Sequence, residues 1–114
     1  IKQFYAWTMK DNENSIATIN KFIDEAKSNN ESYENLLNLL GYKLMAKGDM
    51  DEAEKVFLDY IKAYPKGYNA YDSMGEYYLK NEMIEPAKDM YMKALEKYRF
   101  ANNARNVMGK MNKW

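Results

Sequence analysis

Apolar residues recur along this chain at the three- and four-residue spacing of one helix face, and short polar breaks separate each stretch from the next. Ile16, Ile19, Phe22, Ile23 and Ala26 form the first clear stripe, which predicts a helix from Ser15 to Ser28 opened by a cap at Asn14 or Ser15. Leu37, Leu40 and Leu44 form the second stripe, closed by Ala46-Lys47-Gly48-Asp49. Gly48 supplies the left-handed backbone that ends a helix, and Asp49 with Glu52 gives the next one an N-terminal capping signature. That helix is expected to run to about Ala63, because Tyr64 precedes Pro65 and a residue before proline is biased out of the helical region.

The pattern then returns with a period of 34 residues. Leu37, Leu40, Gly41 and Leu44 reappear as Tyr71, Met74, Gly75 and Tyr78, while Met50, Ala53 and Phe57 reappear as Ile84, Ala87 and Tyr91. In this second unit Asn81 is expected to end the first helix, and Pro86 falls in the first turn of the second, where a missing N–H costs little. A third unit opens at Asn102 with Met108 and Gly109 in register, and reads as a single capping helix whose outer face is wetter, with Arg105 and Asn112 in place of large apolar groups. The expected organisation is one domain: a degenerate helix pair over 1–33, which includes a helix from Ile1 to about Lys10, repeats over 34–67 and 68–101, and a cap over 102–114.

Leu37-x-x-Leu40-Gly41-x-x-Leu44, Ala53-x-x-x-Phe57 and Pro65 together resemble the tetratricopeptide repeat signature, and Tyr71, Met74, Gly75, Tyr78, Ala87, Tyr91 and Ala94 repeat it. Arg99 departs from the pattern where the first repeat has Pro65. The resemblance covers about Glu34 to Trp114 and implies an all-α fold, a right-handed superhelix of antiparallel helix pairs with about seven helices. It also implies that the first helix of each repeat lines a concave groove that receives a protein or peptide.

A narrower resemblance rests on Leu39-Leu40-Gly41-Tyr42-Lys43-Leu44, Tyr64-Pro65 and Tyr71-Asp72-Ser73-Met74-Gly75-Glu76. These stretches are similar to the repeat tails of some bacterial serine hydrolases, of the beta-lactamase-like or esterase kind. That implies an upstream catalytic domain of the same polypeptide as a partner, and export from the cell. The chain begins at Ile1 without an initiator Met or a basic-then-apolar leader, in keeping with an excised or processed piece. Phe4, Tyr5 and Trp7 would then supply apolar bulk toward the missing domain.

Composition narrows the chemistry. Seventeen basic residues balance seventeen acidic ones with no long run of either sign, so neither nucleic acid nor an anionic membrane surface is an expected partner, and membrane insertion is not expected for want of apolar length. The apolar runs fall far short of the roughly 20 residues of a membrane span. With no Cys and no His, the chain lacks disulfides, thiol metal ligands and the usual near-neutral proton carrier. No catalytic residue, metal site or cofactor is expected. Asp72-Ser73-Met74-Gly75 has Tyr71 where a nucleophile elbow needs Gly, and no Ser begins a Ser-x-x-Lys. Asp11-Asn12-Glu13-Asn14 and Asp49-Met50-Asp51 lack the layout of a calcium loop and read as solvated turns. Asn30-Glu31-Ser32 matches a glycosylation sequon, relevant only in a secretory host.

The candidate groove is a periodic polar ladder. Asn35, Asn69 and Asn103 recur at the full period, and one turn on come Asn38, Asp72 and Asn106. Tyr42, Met45, Glu76, Leu79 and Lys110 continue it, combining amides that read an extended backbone with adaptable apolar contacts. Asn35, Asn69 and Asn103 also stand in first turns, where short polar side chains serve local backbone bonding. The positions matching the carboxylate clamp of chaperone-binding repeats hold Asn38, Tyr42, Ser73, Asn103 and Val107, without a positive charge, so chaperone tails are not expected partners. Most of the eleven Tyr and nine Met, among them Tyr71, Tyr78, Tyr91, Met74 and Met108, are expected to fill the core.

Overall fold

The computed structural model describes residues 12–98 and 102–111. Among these it contains six helices and no strand: α1 (Asn12–Ser28), α2 (Glu34–Lys47), α3 (Met50–Ala63), α4 (Asn69–Lys80), α5 (Ile84–Lys97) and α6 (Asn102–Met111). The helix expected before Lys10, with Phe4, Tyr5 and Trp7, lies outside the described residues. The helix expected from Ser15 starts earlier, at Asn12. Ser15 is therefore inside α1, and it is fully buried, so it packs where a cap was expected.

Three helices end with the same hydrogen-bonded turn, each built around one left-handed residue. At the end of α2, Gly48 has φ 93°, its N–H donates to the Met45 carbonyl, and the Asp49 N–H donates back to Leu44. The Schellman motif thereby satisfies carbonyls that the last helical turn leaves without partners. After α1 the left-handed residue is Asn30, with φ 56°, and the Glu31 N–H reaches Ala26. After α4 it is Glu82, with φ 60°, and the Met83 N–H reaches Tyr78.

Asn81 was expected to end α4, and it does flank the helix, but its backbone is not left-handed. Its side-chain amide instead donates to the Tyr77 carbonyl at 2.8 Å. Glu82, one period after Gly48, takes the strained position.

The N-terminal punctuation follows the sequence more closely. Asp49 caps α3, its carboxylate accepting from the Glu52 N–H at 3.4 Å. The Glu52 side chain does not complete the reciprocal bond and pairs with Lys55 at 3.3 Å. Tyr64 closes α3 by donating its N–H to the Tyr60 carbonyl, directly before Pro65. Pro86 is the third residue of α5, within the first turn, where helical N–H groups have no intrahelical acceptor.

The chain forms two compact units, Ile1–Val56 and Phe57–Trp114, with the division inside α3. In the first, α1 packs on α2, and Ile19, Ile23, Leu37, Leu40, Leu44, Met45 and Ala53 are buried. Lys43 is buried there too, at 1% exposure, in the register position that Tyr77 occupies in the second repeat.

In the second unit α4 packs on α5 and α5 on α6. Ala87, Tyr91 and Ala94 form a fully buried stripe on α5, against which Tyr68, Tyr71, Tyr78, Leu79, Ile84, Leu95, Val107 and Met108 pack. The α4–α5 contact is closest at Gly75, where a Cβ would lie 2.8 Å from the Tyr91 ring. Phe57 meets Tyr77 with ring centroids 6.2 Å apart, in a tilted arrangement. Of the residues expected to fill the core, Met74 and Tyr91 are fully buried and Tyr71, Tyr78 and Met108 are half-buried against the α5 stripe; Tyr60 and Tyr77 are buried as well, whereas Tyr98 is exposed.

Candidate functional site

The polar ladder is carried by the first helix of each repeat and is described on each helix separately. On α2, Asn35, Asn38 and Tyr42 follow one another at intervals of three and four residues, which places them on one face over about 10 Å of helix. Asn35 is exposed, while Asn38 and Tyr42 are half-buried. Neither α2 nor α4 has a side-chain hydrogen bond from its N-cap residue, Tyr33 or Tyr68. The Glu34 N–H is instead reached by the Ser32 hydroxyl at 3.4 Å.

On α4 the corresponding stripe is Asn69, Asp72 and Glu76, exposed at its start and half-buried after it. Two carboxylates four residues apart on one helix face repel each other. Glu76 accordingly holds its proton above the ordinary carboxylate range, first because burial disfavours the charged form and next because Asp72 is close, with Lys80 opposing the shift. The α4 stripe is therefore acidic at its centre, where the α2 stripe is neutral.

Two members of the expected ladder are packing residues in this structure. Met45 is 7% exposed and belongs to the core of its unit, and Leu79 packs on the Ala87, Tyr91 and Ala94 stripe. Both stand three residues beyond Tyr42 and Glu76, near the same face by helical spacing, and it is packing against neighbouring residues that draws them from the ladder. On α6, Asn106 is exposed. The side chains of Asn103 and Lys110 lie outside the described residues.

Ser73 lies within α4 and is 4% exposed, so it has neither the strand-to-helix turn nor the access of a nucleophile elbow. Among the described residues no group of three carboxylate, His or Cys side chains could hold a metal ion, and no helix is long and apolar enough to cross a membrane. Asn30 and Ser32, of the sequon, are both exposed between α1 and α2.

Comparison with curated proteins finds no match. The tetratricopeptide repeat model matches residues 34–66 and again residues 68–96, so each matched segment contains one helix pair, α2 with α3 and α4 with α5. Together with the repeated small-residue and aromatic positions, these two matches place the chain in the tetratricopeptide repeat family.

Proposed function

We propose that this non-catalytic helical module binds a protein or peptide through the ladder faces of its first helices, Asn35, Asn38 and Tyr42 on α2 and Asn69, Asp72 and Glu76 on α4. The observation that carries the reading is the recurrence, at the repeat period, of polar and half-buried side chains on these helices, beside neighbours that serve the core. Amides both donate and accept, so Asn35, Asn38 and Asn69 suit the backbone of an extended segment. Tyr42 adds an aromatic surface, and Asp72 with Glu76 favours a partner with cationic side chains over one ending in carboxylates. Asn103, Asn106 and Lys110 of the third repeat are proposed as further positions of the same kind, with Asn106 exposed on α6.

The test is site-specific crosslinking in the source cell. A photoreactive residue at position 38 or 72 is expected to join a partner, and one at the exposed Met92 position on α5 is not. Equal crosslinking from all three positions would remove the face assignment.

A second reading makes the chain an accessory segment of a bacterial serine hydrolase, exported with it. It is supported by the resemblance of Leu39-Leu40-Gly41-Tyr42-Lys43-Leu44 and Tyr71-Asp72-Ser73-Met74-Gly75-Glu76 to such tails. The intact mass of the native polypeptide separates the readings: a product far above 13.5 kDa that contains a hydrolase domain supports the second, and one near that mass excludes it.

A further inference from the structure

We draw no further inference here: the strongest candidate, the half-buried carboxylate pair of Asp72 and Glu76 on α4, belongs to the face already described, and no second feature of the structure points to a ligand for it.

Discussion

Replacing Gly75 by Ala adds one methyl group at the closest approach of α4 and α5. The new Cβ would lie 2.8 Å from Cζ of Tyr91, 2.9 Å from Cε2 and 3.0 Å from Cε1. The ring cannot swing aside freely, because Tyr91 is fully buried and sits in the stripe that anchors α4, α5 and α6. Overpacking of this kind costs about 1–3 kcal/mol. Ala also favours a helix over Gly by about 1 kcal/mol, so the net expectation is a loss of about 0–2 kcal/mol.

Gly109 supplies the control, since it occupies the same register position on α6 and no described atom lies within 4 Å of an added Cβ. Gly109→Ala should gain from helix propensity alone, by roughly 0.5–1 kcal/mol. Propensity largely cancels between the two variants, so the difference between them isolates the steric cost at about 1–3 kcal/mol. In a domain near 100 residues each kcal/mol moves Tm by roughly 4–8 °C. Thermal and urea unfolding followed by far-ultraviolet circular dichroism reads that difference. Combining Gly75→Ala with Tyr91→Leu should cost less than the sum of the single changes, since the ring that receives the methyl is gone. Equal stability of Gly75→Ala and Gly109→Ala would refute the close-packed repeat interface.

Other consequences follow from single residues. Glu82→Gly should stabilise the fold by roughly 0.5–1 kcal/mol, because glycine adopts positive φ without the steric cost borne by Glu; an unchanged urea midpoint would contradict the left-handed cap. Gly48→Ala should do the opposite, losing about 1 kcal/mol at φ 93°, although among the described residues nothing lies within 4 Å of an added Cβ. Glu76 binds its proton more tightly folded than unfolded, so its stabilising contribution is present below the ordinary value of 4.5 and is lost as pH rises through the raised native pKa. Glu76→Gln should therefore raise the urea midpoint at neutral pH and leave it unchanged below that ordinary value, and a lower midpoint at neutral pH would reverse the assignment.

The repeat and its turns were legible in the sequence because their signals are local. Gly48, Asp49, Pro65 and Pro86 each act through their own backbone chemistry, and the structure places all four at helix ends. The start of α1 was less legible, since Ser15 is compatible with both a cap and a buried helical position, and only packing decides between them.

Glu82 illustrates a signal present but outweighed. Asn81 has the better intrinsic tolerance for left-handed backbone, yet register with Gly48 places that conformation at Glu82. Lys43 was hidden for a different reason: a charged residue reads as exposed, while its register partner Tyr77 marks the position as internal. On the ladder, helical spacing alone grouped Met45 and Leu79 with the polar positions, and the burial of Met45 and the packing of half-buried Leu79 depend on neighbours that spacing does not describe.

The most direct test of the binding account is selection of a random-peptide display library on the whole chain, followed by affinity measurements on variants that remain folded. Asn38→Ala with Tyr42→Ala, or Asp72→Ala with Glu76→Ala, is expected to weaken the selected peptides at least tenfold, about 1.4 kcal/mol. Met92→Ala, on the exposed side of α5, is expected to leave them unchanged. Peptides that bind both double variants as tightly as the native chain, or that lose affinity only with Met92→Ala, would contradict recognition through the first helices.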